Sequence, residues 1–138
     1  MIAINNYLFF NGNCKEAIDF YMKALNGNML EMQTFGESPM EAPPEIRDNI
    51  MHATMEAAGT HIMFSDGMGQ PHHVGNNVQL AINCESVEEQ SAIWEKLKVG
   101  GNVTMDLEDT FWGARFGQLT DKFGIHWMLN FDYPDKKK

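Results

Sequence analysis

An internal repeat constrains the fold of this chain more than any other feature. Residues 59–64 read GTHIMF and residues 124–129 read GIHWML, 65 positions later. Each copy closes a half of the chain that begins with an apolar stretch and a segment with helix-capping signals. Two copies of one unit predict a pseudo-twofold domain, with any cavity located where the sheets of the two copies meet.

The first copy reads as one strand, one helix and three further strands. Apolar residues 2–10 predict a buried strand, and the helix after them has Asn13 and Glu16 as its N-terminal cap and Asn26-Gly27 as its left-handed stop. Strands are expected near 28–35, 50–57 and 60–65. The buried stripe of the helix is predicted to contain Ala17, Ile18, Tyr21, Ala24 and Leu25.

The second copy repeats this order. Its first strand is expected near 77–82, and its helix runs from a Ser86 cap, with Glu89 at capping-box spacing, to Gly100-Gly101. Three strands follow near 102–109, 114–120 and 125–131. The buried stripe of this helix is predicted to contain Val87, Ile93, Trp94 and Leu97.

The two copies differ in length at one place. Both helix caps and both helix stops are 73 residues apart, whereas the closing strands are only 65 apart, so the first copy carries an insertion of about 8 residues. The loop 37–45 contains three prolines, which exclude a regular ladder, so the insertion is predicted there as a mobile flap.

These patterns predict a single α+β domain of two tandem βαβββ units. Repeat one covers about 1–66, a linker 67–75, repeat two about 76–131 and a polar tail 132–138. A net charge of −9 argues against nucleic acid as a partner. No apolar stretch reaches the roughly 20 residues of a membrane span, and the first residues lack signal-peptide features, so a cytoplasmic protein is expected.

Several strings resemble a known family. They are YLFFNGNCKEA at 7–17, MHA at 51–53, FWGARFG at 111–117 and DKFG at 121–124. Together with the paired units they resemble the vicinal oxygen chelate superfamily of glyoxalase I, extradiol dioxygenases and bleomycin- and fosfomycin-resistance proteins. Within it they are similar to the PhnB-like branch, also labelled 3-demethylubiquinone-9 3-methyltransferase-like. The resemblance implies a cup formed by curled mixed sheets and completed in many members by homodimerisation.

The resemblance also identifies four positions where metal-dependent members hold their ion. Alignment of the turns places them at about Asn6, Met63, Val78 and Met128, where thioether and aliphatic side chains offer nothing to a hard divalent ion. A slip of one residue would offer a set that is no better: Asn5 or Tyr7, Ile62 or Phe64, Asn77 or Gln79, and Trp127 or Leu129. No metal and no cofactor are therefore expected.

Two histidines keep a metal site open as an alternative. His61 and His126 are repeat-equivalent and should share a sheet face with Met63 and Met128, because strand side chains alternate. With an unforeseen carboxylate, such as Glu56 or Glu31, they could serve a divalent-metal lyase, isomerase or dioxygenase. The other interpretation is that they line or rim the cavity.

Three further residues are candidates for ligand contact. Arg115 could bind an anion or pair with a nearby aspartate, Trp112 could stack on a planar ligand, and His52 could transfer protons or make a structural hydrogen bond. Catalytic residues are left unassigned. The predicted ligand-binding residues are His52, His61, Met63, Trp112, Arg115, His126 and Met128.

The function expected from the sequence is binding of a small, anionic or aromatic molecule in a metal-free cup. The protein is expected to be a homodimer without nucleic-acid or membrane partners, and it could sequester its ligand or act on it. A structural or protein-interaction module is a third class. The methyltransferase label is not matched by a glycine-rich turn in an alternating parallel sheet.

Overall fold

Both halves of the chain fold into the same five main elements. The computed structural model describes residues 2–39, 41–69 and 71–134, and the chain divides between His73 and Val74 into two units. Unit 1 contains β1 Asn6–Phe9, α1 Cys14–Leu25, β2 Asn28–Thr34, β3 Ile50–Ala57 and β4 Thr60–Ser65. Unit 2 contains β5 Leu80–Asn83, α2 Val87–Leu97, β6 Asn102–Asp109, β7 Ala114–Thr120 and β8 His126–Asp132.

The two sheets have the same strand order. It is β1-β4-β3-β2 in unit 1 and β5-β8-β7-β6 in unit 2. The first and last strands of each unit pair in parallel, while the other neighbours are antiparallel. Each unit is therefore a four-stranded mixed sheet with one helix, which confirms the predicted α+β class of tandem βαβββ units.

Helix α1 covers its sheet with the apolar stripe that its sequence predicts. All five stripe residues are buried, and Cys14 joins them at the first turn. The ring of Tyr21 stacks on that of Phe64 with centroids 6.1 Å apart, and the ring of Phe10 stacks on Phe64 at 6.3 Å. The core of unit 1 therefore lies between α1 and the strands β3 and β4. Burial of each such large apolar side chain stabilises the fold by roughly 1.5–3 kcal/mol.

Helix α2 uses a narrower stripe than its sequence predicts. Trp94 and Leu97 are buried, but Val87 and Ile93 are only half-buried, so this part of the prediction was wrong. Gln90 takes a buried position because its side chain is satisfied: its Nε2 donates to the carbonyl of Arg115 at 2.8 Å. An amide with its partners in place can occupy a core position at little cost.

The predicted cap of α1 was wrong, whereas that of α2 is confirmed. Asn13 makes no side-chain cap hydrogen bond. Asp66 does this work from 52 residues away, since its Oδ1 accepts the backbone N–H groups of Cys14 at 3.0 Å and Gly12 at 2.7 Å. Ser86 caps α2 directly, because its Oγ accepts the N–H of Glu89 at 3.0 Å.

The C-terminal end of α1 also differs from the prediction in one detail. Asn26, with φ 54°, takes the left-handed conformation that was expected of the Asn26-Gly27 pair. Gly27 serves a different purpose, since a Cβ there would lie 2.6 Å from the sulfur of Met55. The helix end therefore needs a residue without a side chain because the sheet passes close by.

The first strand of each unit begins later than predicted. β1 starts at Asn6 and β5 at Leu80, where their ladders with β4 and β8 begin. Ile2 and Ile4 are 96% and 94% exposed, and Val78 is 75% exposed. The apolar character of these residues suggested strands, but the ladders start only at the pairs Asn6–Ile62 and Leu80–Trp127.

The length difference between the units falls in the predicted loop. Fifteen residues, 35–49, connect β2 to β3, whereas four residues, 110–113, connect β6 to β7. The longer connection contains a short helical turn, Pro44–Ile46. Its mobility stays a prediction, and Met40 lies outside the described residues.

Helices capable of crossing a membrane are absent from the described residues.

Candidate functional site

Each sheet has one face against its helix and one face that the helix leaves uncovered, which we call the open face. In unit 1 the buried residues Ala53, Met55, Ile62 and Phe64 are on the helix side. Their neighbours alternate to the other side. The open face of unit 1 carries Tyr7, Phe9, His52, Thr54, His61 and Met63.

A hydrogen-bonded network lies at the centre of this open face. Both ring nitrogens of His52 are engaged: Nδ1 lies 3.0 Å from the hydroxyl of Tyr7, and Nε2 lies 3.1 Å from the hydroxyl of Thr54. Nε2 is also 3.2 Å from Oε1 of Glu31. The Thr54 hydroxyl donates to the same Glu31 oxygen at 3.3 Å. Three strands thus fix one imidazole from both sides.

A bulge in β2 places Glu31 in this network. Met29 pairs with Met55 and Glu31 with Thr54, so Leu30 is an extra residue between two successive pairs. Without the bulge Leu30 would face Thr54, and the carboxylate would point to the other side of the sheet. The sequence contains no glycine or other signal that predicts the bulge.

Two aromatic rings lie beside the network. Tyr7 and Phe9 alternate on β1, and their rings stack with centroids 4.8 Å apart at 14°. They remain 40% and 54% exposed, which leaves a broad apolar surface uncovered. Burial of its hydroxyl end raises the pKa of Tyr7, the Cys14 thiol adds to this, and a hydrogen bond with Ser65 lowers it.

A depression of about 370 Å³ adjoins the network on the other side of His52. Its lining residues are Glu31, Met32, Gln33, Glu37 and His52. The N–H and hydroxyl of Thr34 donate to Oε1 of Glu37 at 2.9 Å each, and these bonds lower the pKa of Glu37. The depression therefore presents two carboxylates, an amide and an imidazole, with one apolar side chain, Met32, among them.

The open face of unit 2 has different chemistry. Strand register places Ala81 at the position of Tyr7, since they pair with Met128 and Met63 respectively. By the same register Gln118 takes the position of Thr54 and Phe116 that of His52. The hydrogen-bonded network is thus a property of unit 1.

The repeat-equivalent histidines lie on the open faces of their own sheets, as predicted. His61 lies beside Glu56, its partner across the ladder, with 3.7 Å between Nε2 and Oε2. His126 takes the corresponding place in unit 2, where its Nδ1 is 2.8 Å from the hydroxyl of Thr120. Met63 and Met128 share these two faces respectively.

The structure places Arg115 on the helix side of its sheet. Its Nη1 donates to neutral oxygens of α2: the hydroxyl of Ser91 at 3.0 Å, the amide of Gln90 at 3.2 Å and the carbonyl of Val87 at 3.5 Å. Trp112 lies in the turn before β7, edge-on to Phe111 and Phe116. Both residues belong to unit 2, whereas His52 belongs to unit 1.

In the strand ladders, Met63 and Met128 are paired with residues other than the two expected metal positions Asn6 and Val78. The residue paired with Met63 is Tyr7, not Asn6, and the residue paired with Met128 is Ala81, not Val78. Val78 lies before β5 altogether. Within residues 2–39, 41–69 and 71–134 no three His, Cys, Asp or Glu side chains cluster as metal ligands would, and the family metal positions stay a prediction.

Each unit has one helix and a mixed sheet in which the first strand pairs with the last, the last with the third and the third with the second. Two such units define the glyoxalase-like fold of the vicinal oxygen chelate superfamily. Within this class the chain belongs to the family described as 3-demethylubiquinone-9 3-methyltransferase, the PhnB-like branch, which matches residues 3–130.

Individual relatives agree with this assignment. Protein YjdN from Escherichia coli K12 is 34% identical over 94% of this chain and 95% of its own length. The crystal structure of protein PA1353 from Pseudomonas aeruginosa is 38% identical, with a TM-score of 0.86, over 96% of this chain and 98% of that chain. The PhnB protein from Bacillus cereus, at 24% identity, shares the fold with a TM-score of 0.81 over 94% and 99% of the two chains.

Proposed function

We propose that this protein binds a small aromatic molecule with a polar substituent on the open face of unit 1, without a metal ion. The observation that carries this proposal is the juxtaposition of two exposed, stacked rings with an imidazole held at both nitrogens. Rings offer a stacking surface, and a few fixed polar groups beside them select orientation. The physiological ligand would be sequestered or transformed there.

The charges near His52 favour a neutral polar group on the ligand. Glu31 and Glu37 both line the adjoining depression and would repel a carboxylate or phosphonate. The anionic ligand expected from the sequence depended on Arg115, whose guanidinium is bonded to α2. A ketone, phenol or amide attached to an aromatic ring therefore fits the chemistry of this face better.

The methyltransferase description of the family finds little support in the local chemistry. S-adenosylmethionine enzymes commonly bind their cofactor at a glycine-rich turn of an alternating parallel sheet. Here the turn after β1 leads into α1 with Asp66 occupying its N–H groups, and the sheet is mixed. We therefore propose ligand binding without that cofactor.

A screen of aromatic ketones, phenols, quinones and antibiotics tests this function. Binding is expected to raise the melting temperature and to shift NMR signals of the β1 and β3 residues. Phe9→Ala should weaken binding roughly three- to tenfold, because it removes half of the stacking surface. Val99→Ala, which truncates an exposed apolar residue of unit 2, is the matched control and should leave affinity unchanged.

Two results would contradict the proposal. One is that no aromatic compound in the screen binds. The other is that binding and turnover require an added divalent ion and disappear together in a His61→Ala, His126→Ala double variant. The second result would establish the alternative predicted from the sequence, a divalent-metal lyase, isomerase or dioxygenase.

We also propose that the protein acts as a homodimer in the cytoplasm, as the resemblance to its superfamily implies. Light scattering after size exclusion should then give twice the chain mass of 15.7 kDa at micromolar concentration. A species of the chain mass alone would contradict the dimer without affecting the binding proposal.

A further inference from the structure

We propose that Tyr7, His52 and Glu31 form a proton relay that catalyses exchange of a proton on the carbon next to a carbonyl group. The substrate class is a neutral aryl ketone, and this inference rests on the proposed binding of aromatic molecules to the same face. The three residues come from three different strands, and His52 lies between the other two, with Nδ1 3.0 Å from the Tyr7 hydroxyl and Nε2 3.2 Å from Oε1 of Glu31. The arrangement is that of a catalytic triad. Tyr7 accepts the proton from the substrate, His52 is the base behind it, and Glu31 orients the base.

The hydrogen bonds of the network define the direction of the relay. Thr54 donates its single hydroxyl hydrogen to Glu31, so its oxygen accepts from Nε2 of His52, and Nε2 therefore carries a hydrogen. In the neutral imidazole Nδ1 then accepts, and the hydroxyl of Tyr7 must donate to it across 3.0 Å. Thr54 completes the network, because its hydroxyl donates to Glu31 and lies 3.1 Å from Nε2. His52 is thereby held as a base that faces the phenol.

The proposed step balances without a co-reactant. The Cα–H bond of the ketone breaks, its electron pair forms the C=C bond of an enolate, and its proton passes to the Tyr7 oxygen. At the same time the phenol proton of Tyr7 passes to Nδ1 of His52, and the imidazolium is stabilised by Glu31. The exposed Tyr7 hydroxyl then exchanges its new proton with solvent, and reversal delivers a solvent proton to the same carbon, which regenerates the ketone and all three side chains.

The surroundings of Tyr7 suit a group that touches the substrate. Its side chain is 40% exposed on the open face, and that of His52 is 32% exposed, so a bound ring can reach the phenol. The Ser65 hydroxyl accepts the N–H of Gly67 at 2.9 Å, and its contact with Tyr7 lowers the pKa of the phenol against the larger effect of burial. Because the pKa of Tyr7 is raised overall, its phenol keeps the proton that it donates to Nδ1 of His52.

Phenylacetone in deuterium oxide tests the relay, because its CH₂ group lies between an aromatic ring and a carbonyl. Proton NMR should show loss of the CH₂ signal faster with the protein than in buffer alone. Tyr7→Phe keeps the ring and should bind the ketone, yet the exchange rate should fall about 100-fold. His52→Asn should lose exchange to a similar extent, whereas His73→Asn, an exposed linker histidine, should behave as the unchanged protein.

Glu31 is a positioning residue, and its test is spectroscopic. Proton–nitrogen NMR of the His52 ring should show the Nε2–H tautomer in the unchanged protein and a mixture of tautomers in Glu31→Gln. A mixture of tautomers already present in the unchanged protein would overturn the assigned direction of the relay.

The outcomes separate the relay from the binding proposal. Binding of phenylacetone without accelerated exchange would overturn the relay and leave ligand binding intact. Exchange that persists at the full rate in Tyr7→Phe or His52→Asn would also overturn it. Failure of phenylacetone and the whole aromatic screen to bind would overturn both proposals together.

Discussion

At the scale of single residues, a glycine in β7, Gly117, allows α2 to pack closely against its sheet. A Cβ at Gly117 would lie 2.8 Å from the ring of Trp94 and 3.0 Å from the methyl group of Leu107. The Trp94 ring cannot move away easily, because it is 5% exposed and packed in the core. We expect Gly117→Ala to lower the free energy of unfolding by about 1–3 kcal/mol, measured by urea denaturation.

Gly75→Ala is the matched control. This glycine lies in the linker, and the nearest atom to a Cβ there is an Asn77 oxygen at an ordinary 3.6 Å. Its replacement should change stability by less than about 0.5 kcal/mol. If both variants were equally stable, close packing at Gly117 would not explain the last glycine of the FWGARFG string.

A buried thiol gives the stability of the protein a dependence on alkaline pH. Burial raises the pKa of Cys84 to about 11 from the ordinary value of 9.0, and the Glu89 carboxylate adds to this. In that interval the unfolded chain loses the thiol proton while the folded chain retains it, so stability falls as pH rises. The loss from this group approaches about 1.4 kcal/mol per pH unit.

The measurement is urea unfolding at several pH values between 9.0 and about 11. Cys84→Ala should decline less steeply than the unchanged protein over this interval, whatever its stability at neutral pH. Parallel declines would show that the Cys84 thiol does not contribute. Burial also raises the pKa of Cys14, which acts in the same direction and is present in both proteins.

Predictions for single side chains depended on their strand parity. His52, His61 and Met63 lie on the open face of unit 1, and alternation was sufficient to place the last two together. Strand alternation could not predict the partners of Arg115, because its guanidinium donates to neutral oxygens of a helix that precedes it by more than 20 residues. Glu31 reaches His52 only through a bulge that no local signal marks.

At the scale of elements, the two helices begin by different means. Ser86 accepts the N–H of Glu89, whereas Asn13 leaves this task to Asp66. We expect Ser86→Ala to lower the free energy of unfolding by about 1 kcal/mol and Asn13→Ala by much less, measured by urea denaturation. Equal losses in the two variants would contradict this assignment of the caps.

Elements with local signals were predicted well, and those set by distant partners were not. The stripe of α1 and the extents of β3, β4, β6 and β7 follow from periodicity and turn residues. The first residues of β1 and β5 depend on where β4 and β8 offer hydrogen bonds, which no sequence window contains. The Asp66 cap likewise joins residues 52 positions apart.

At the scale of the whole molecule, the repeat preserved the fold but not the chemistry. Both units have the same strand order, yet the positions of Tyr7, His52 and Thr54 are Ala81, Phe116 and Gln118 in unit 2. Residues in the core of each unit are constrained by packing, whereas residues on the open faces can differ between the units without loss of the fold. The network of Tyr7, His52 and Thr54 therefore has no counterpart at the equivalent positions of unit 2, and tests of the proton relay belong in unit 1.

The linker between the units should accept additional residues. Residues 71–79 are all exposed and form neither helix nor strand. Because each unit has its own core, inserting the four residues Gly-Ser-Gly-Ser between His72 and His73 should lower the free energy of unfolding by less than about 1 kcal/mol. The same insertion after Leu129, which pairs with both Ile82 and Gly117, should abolish folding by breaking two ladders. Circular dichroism and urea unfolding distinguish the two variants, and a linker insertion as damaging as the strand insertion would show that residues 71–79 support the fold directly.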